Sequence, residues 1–99
     1  MDDMDFNRLA ELTLARIEAA LEDSNADLDF ELKAGGILEI EFADGSKIIV
    51  NRHGVAKEIW VAAKTGGFHF RHVGDDWVDT RDGTELFARL SALACLQAG

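Results

Sequence analysis

The chain predicts an α+β fold: a two-layer α-β sandwich in which two terminal helices pack on one face of an antiparallel sheet. Three observations carry this. Apolar residues recur at helical spacing at both ends of the 99 residues. Between them, six short segments alternate apolar and polar at period two. The connections are of hairpin length, and one row of each strand is polar, as expected of a sheet covered on one face only. The length and the 47% hydrophobic content allow one modest core, hence a single domain over residues 1–99.

The first helix is predicted from about Asp3 to Asp23, with Phe6, Leu9, Ala10, Thr13, Ile17, Ala20 and Leu21 on one apolar arc. Glu11, Glu18 and Glu22, spaced by seven and four, line up on its flank one turn after Asn7. A polar loop near Ser24 to Ala26 leads to a short edge strand, with Leu28, Phe30 and Leu32 inward against Asp27, Asp29 and Glu31. The charged outer row protects that edge from pairing with other chains. Gly35-Gly36 turns the chain into a second strand, Ile37 to Ala43, with Leu38, Ile40 and Phe42 inward.

The next hairpin has two possible registers. A two-residue turn at Asp44-Gly45 would pair Glu41 with Ile48 and mix inner with outer residues. A three-residue loop, Ala43 to Gly45 with a left-handed glycine, pairs Ile40 with Ile48, Leu38 with Val50 and Glu41 with Lys47, and is preferred. It leaves Ile49 and Asn51 on the outer face. A fourth strand, Glu58 to Ala63, puts Ile59 and Val61 inward and Trp60 outward; a fifth, Phe68 to Val73, puts Phe68 and Phe70 inward and His69 outward. A sixth around Trp77 to Asp79 precedes a helix from about Gly83 to Leu96, with Asp82 and Glu85 as a capping-box-like pair and Leu86, Phe87, Leu90 and Leu93 as its apolar stripe.

Charge is the strongest functional signal. Ten of nineteen acidic residues fall within residues 1–31, opposed there only by Arg8 and Arg16, so that segment carries −8 of the chain's −9. Crowded carboxylates repel, so a chain that keeps them together offers a field to a cation or a basic partner. A solvated helix face that serves solubility is the plainer alternative. Nucleic acid is excluded as a partner by the sign of the charge. No apolar run reaches the roughly 18 residues of a membrane span, and an N-terminus acidic from its second residue lacks the basic start of a signal peptide. A cytoplasmic protein is expected. Cys95, the only cysteine, sits beside Leu93, Ala94 and Leu96 and is expected to be a buried structural thiol.

Carboxylate oxygens suit hard cations and iron, but no EF-hand loop or carboxylate-histidine cluster is present, so binding at the ridge would be superficial, multi-site and weak. His69 and His72 fall on opposite faces of one strand, and His53 is placed in a loop. Trp60 and Ile49 on the outer sheet face suggest a docking patch, the alternative being that Trp60 packs only across its own neighbours. Trp77 reads as a sheet-end packing residue. No nucleophile elbow, zinc cluster or phosphate-binding glycine loop supports catalysis.

The acidic first helix, Gly45-Ser46-Lys47-Ile48-Ile49-Val50-Asn51-Arg52, Glu58-Ile59-Trp60-Val61-Ala62, Gly66-Gly67-Phe68-His69-Phe70 and Gly74-Asp75-Asp76-Trp77 together resemble the bacterial frataxins of the CyaY type, in order over nearly the whole chain. His53 and Glu58 stand where glutamines are usual, Val55 where proline is common, and Asn7 where some relatives have histidine. The resemblance implies the same sandwich and a monomer that binds ferrous and ferric iron weakly and reversibly. It also implies docking on cysteine desulfurase, and contact with the cluster scaffold protein, to regulate iron–sulfur cluster assembly without turnover of its own. It maps an iron-binding acidic ridge onto Glu11, Glu18, Glu22, Asp23, Asp27, Asp29 and Glu31, and a partner region onto the ridge residues Glu18 and Glu22 with Asn51, Arg52 and Trp60 of the sheet surface. Two rival functions remain: iron storage by iron-dependent oligomerisation, with ferroxidase activity, and a metal-independent acidic interaction module.

Overall fold

A computed structural model describes residues 1–24 and 26–98. The elements follow the order α1 (Asp3–Asp23), β1 (Leu28–Lys33), β2 (Ile37–Phe42), β3 (Lys47–His53), β4 (Glu58–Ala63), β5 (Gly66–Val73), β6 (Asp76–Asp79) and α2 (Leu86–Ala98). The six strands form one antiparallel sheet in sequence order, so each pairs with its chain neighbour through a short turn. Both helices pack on one face.

The preferred hairpin register is the observed one: Ile40 opposes Ile48, Leu38 opposes Val50 and Glu41 opposes Lys47. Gly45 takes φ +86° and donates its N–H to Phe42 O at 2.9 Å, and Phe42 N–H meets Ser46 O at 2.8 Å, closing a three-residue loop. A two-residue turn would have slid every β3 side chain to the other face. The core is built from Phe6, Ala10, Leu14 and Ile17 of α1, the inward rows of β2 to β5, Trp77 of β6, and Leu86, Leu90 and Leu93 of α2.

Several local expectations are corrected. Leu14, left out of the predicted arc, is buried, while Ala20 is exposed. Leu32, expected inward, is on the inner row but 47% exposed, because an open cleft separates it from Leu14 and Ala15 of α1. Helix α2 begins at Leu86, and its cap is Glu85, whose carboxylate accepts N–H bonds from Phe87 and Ala88 at 2.8 and 3.2 Å. Asp82 instead closes the preceding turn, accepting from Thr84 N–H at 2.9 Å and binding Arg89. Cys95 is exposed, since residues 93 and 97 take the inward positions of that helix turn. Gln97 is buried and serves as a polar clasp: its carbonyl accepts from Lys64 N–H at 3.0 Å and its amide donates to Ser46 Oγ at 3.0 Å. The predicted loop at 24–26 includes residue 25, which lies outside the described residues.

Trp77 packs edge-on against Phe6, centroids 6.0 Å apart, and its indole N–H donates to Thr13 Oγ1 at 2.8 Å. Thr13 in turn donates to Leu9 O at 2.8 Å. Both buried polar groups are therefore satisfied, which fixes the middle of α1 over the sheet. Between the helices, towards the C-terminal end of α1, lies an apolar cavity of about 210 Å³ lined by Ile17, Leu21, Phe42, Phe87, Leu90 and Ala94 among others.

The acidic ridge and the outer sheet face

The ridge has two halves with different electrostatics. Asp2 caps α1 by accepting Asp5 N–H at 2.8 Å, so the first-turn carboxylates face the positive end of the helix dipole. Asp3 accepts from Lys57 Nζ at 2.6 Å, which holds its carboxyl below the usual range, and Asp5 lies 3.9 Å from Arg8. Glu11 accepts from Arg52 Nη1 at 3.1 Å. Every carboxylate of this half that faces the sheet has its own cation.

The other half does not. Glu18, Glu22 and Asp23 on the last turns of α1, then Asp27 and Asp29 entering β1, have no cationic side chain within 4.0 Å among the described residues, and Glu31 only reaches Lys33 at 4.0 Å. No basic residue occupies the last turn of α1, so Glu22 and Asp23 also stand against the negative end of the helix dipole. Among the described residues, no three His, Cys, Asp or Glu side chains converge on one point as a metal cage requires. This half can offer one or two carboxylates at a time to a cation that keeps part of its water shell.

Arg52 was expected on the sheet surface with Asn51 and Trp60. It lies on the helix side instead, because its register partner is the fully buried Ile59 and alternation sends residues 50, 52 and 59 inward. Its side chain passes under Gly36, where a Cβ would lie 2.5 Å from Arg52 Nε, and ends on Glu11. Gly36, at φ +76°, is thus required both for its backbone and for the arginine's path. Arg52 faces Glu11 and Glu18 across a cleft of about 360 Å³ that is also lined by Leu14, Ala15 and Leu32.

The outer face carries the aromatic patch. Trp60 lies opposite Asn51 on β3 and His69 on β5, half-buried. His53, expected in a loop, is the last residue of β3, and its ring stacks on the indole at 3.8 Å between centroids. His69 stacks on the other side at 4.3 Å. His72 faces inward against Trp77, so the two β5 histidines do lie on opposite faces. Beside the patch, Glu39 accepts from Lys33 and Lys47 at 2.9 and 3.0 Å, which lowers its pKa and raises that of Lys47. The sequence reading gives His53 and Glu58 no role; the signal available was that Glu58 precedes Trp60 by two residues on one strand and that His53 lies diagonal to it across the hairpin.

The described residues form a two-helix, six-stranded α-β sandwich with a carboxylate ridge along α1 and an aromatic patch on the bare sheet face, which defines the class by fold. The Frataxin-like domain model matches residues 1–99, and the chain belongs to the frataxin-like family. It is 70% identical over 99 residues to the iron-sulfur cluster assembly protein CyaY of Dechloromonas aromatica (strain RCB), covering all of this chain and 94% of that one. It is 53% identical over 103 aligned positions to the protein of the same name from Janthinobacterium sp. (strain Marseille), covering 92% of it. Among solved structures, frataxin from Psychromonas ingrahamii superposes with a TM-score of 0.93 at 33% identity, over 99% of this chain and 92% of that one. Trimeric frataxin from the yeast Saccharomyces cerevisiae, complexed with ferrous, shares the fold at a TM-score of 0.78 and 24% identity, over 91% and 85%. No helix among the described residues is long and apolar enough to cross a membrane.

Proposed function

We propose that this chain serves iron–sulfur cluster assembly as an iron-binding adaptor that docks on cysteine desulfurase. The observation that carries the reading is the half of the ridge formed by Glu18, Glu22, Asp23, Asp27 and Asp29, unpaired among the described residues, with Glu31 reaching Lys33 only at 4.0 Å, in a family whose 70%-identical relative is named for cluster assembly. Ferrous or ferric iron is cargo here, held weakly by oxygen donors that exchange with water. Glu11, already bound to Arg52, contributes last. The same field steers the domain onto a basic surface of the desulfurase, and Asn51 and Trp60 complete the contact from the sheet. Arg52 acts from behind that surface, through Glu11. The cluster scaffold protein is the second partner and the cytoplasm the site of action. The protein turns over no substrate of its own.

Calorimetry against cysteine desulfurase tests this. The wild type should bind with micromolar affinity that weakens as salt rises, and Glu18→Lys/Glu22→Lys should abolish binding. Wild-type protein that fails to bind, or binding indifferent to both reversals and to salt, overturns the reading.

A storage reading draws on the trimeric, ferrous-complexed yeast neighbour. The adaptor reading expects mainly monomer at modest aerobic iron, whereas storage expects large particles; size-exclusion chromatography with light scattering separates them.

A further inference from the structure

The indole of Trp60 is covered on both faces by its own chain. His53 lies at 3.8 Å with planes 10° apart, and His69 at 4.3 Å with planes 8° apart. Its one polar atom is also committed, since Nε1–H donates to Glu58 Oε1 at 2.8 Å. That same oxygen lies 3.8 Å from His69 Nδ1, and His53 is tied down in turn by Ala56 N–H, which donates to its Nδ1 at 3.3 Å. The three rings come from three adjacent strands, Trp60 and His69 directly opposed and His53 diagonal to Trp60.

An indole on a bare sheet face would ordinarily sample several rotamers and lose that freedom on binding. Here stacking on two sides and one hydrogen bond remove it beforehand. We infer that His53, His69 and Glu58 are positioning residues that hold Trp60 edge-outward as a pre-ordered docking blade; the inference rests on the docking reading above. With both faces filled, a partner meets the ring edge, which carries the positive side of the aromatic quadrupole. The complementary surface is a narrow slot rimmed by carbonyl oxygens or apolar atoms. A guanidinium laid flat on the indole is not accommodated.

Indole N–H resonances separate the two tryptophans, and buried Trp77, bonded to Thr13, is the internal control. In His53→Ala and in His69→Ala, the Trp60 N–H should shift, lose heteronuclear NOE and exchange faster with solvent, while the Trp77 signal and the melting temperature stay put. Affinity for cysteine desulfurase should fall about two- to tenfold in each, the cost of ordering one large side chain. His53→Phe, which restores a stacking ring, should recover both the rigid signal and the affinity. An unchanged Trp60 signal in both alanine variants, or a loosened indole with full affinity while Trp60→Ala loses binding, overturns the positioning role. Absence of binding by the wild type would bring down the docking reading itself, and with it the blade.

Discussion

The two halves of α1 bear the same kind of side chain and meet opposite fates. Through Glu11, the first-turn carboxylates sit at the favourable end of the helix dipole, Asp3, Asp5 and Glu11 each lie within 4.0 Å of a cation from the chain, and Trp77 clasps Thr13 beneath them. From Glu18 onward they stand at the unfavourable end, unpaired among the described residues, beside an apolar cavity. The difference teaches that one charge run on one helix can be neutralised at one end and left bare at the other, according to which segments approach it. The first half pairs its charge within the molecule; the second leaves it open to solvent.

The comparison can be tested at its anchored half first. Thr13→Val removes the acceptor of the Trp77 indole and leaves a buried N–H unsatisfied, which should cost about 1–3 kcal/mol in urea unfolding. An unchanged midpoint would mean that the clasp does not anchor α1. Gly36→Ala should cost about 1 kcal/mol or more, since its φ is positive and its Cβ would meet Arg52. It should also displace Arg52 and so move Glu11 from the paired to the unpaired class, detectable as new broadening at Glu11 in a paramagnetic Mn²⁺ titration.

Neutralisation should then act with opposite signs in the two halves. Glu18→Gln or Glu22→Gln relieves repulsion and should stabilise by about 0.2–0.5 kcal/mol, whereas Glu11→Gln should be neutral or slightly destabilising. Added Mg²⁺ should raise the melting temperature of the wild type, with a smaller rise in Glu18→Gln/Glu22→Gln. A fall in melting temperature on adding Mg²⁺, or on Glu18→Gln, contradicts the division.

The smallest effect is expected in acid, at a paired carboxylate away from the ridge. Asp82 is lowered from 3.8 to about 2 by the Thr84 N–H first and by Arg89 second. A depressed acid contributes stability that is fully present above its unfolded value and fades as pH falls towards the folded one. The Asp82 contribution should therefore hold above pH 3.8 and disappear towards pH 2, and Asp82→Asn should flatten that part of a melting-temperature profile.

Most of the fold was legible because periodicity reports it directly. The strand segments, the three-residue loop and the inward rows of β2 to β4 follow from alternation, which tolerates no slip when one face is buried. The ridge was legible as a charge run. Its division was not, because the cations that complete Asp3 and Glu11 lie 54 and 41 residues away, on hairpins whose approach to α1 no local pattern encodes. Cap placement at Glu85 rather than Asp82 was missed for a related reason: two acids in one turn compete, and packing of Leu86 decides which one the helix begins after.

By itself, then, the sequence determined the order and type of elements, the one-sided core, the sign of the surface and the family resemblance, since all of these are read from neighbours along the chain. Tertiary structure alone decided which carboxylates are spent, that Arg52 serves the helix side, that Cys95 is exposed while Gln97 is buried, and that Trp60 stands between two imidazoles. These depend on a few ångströms of approach between distant segments, and both short-range electrostatics and ring stacking are steep functions of that distance.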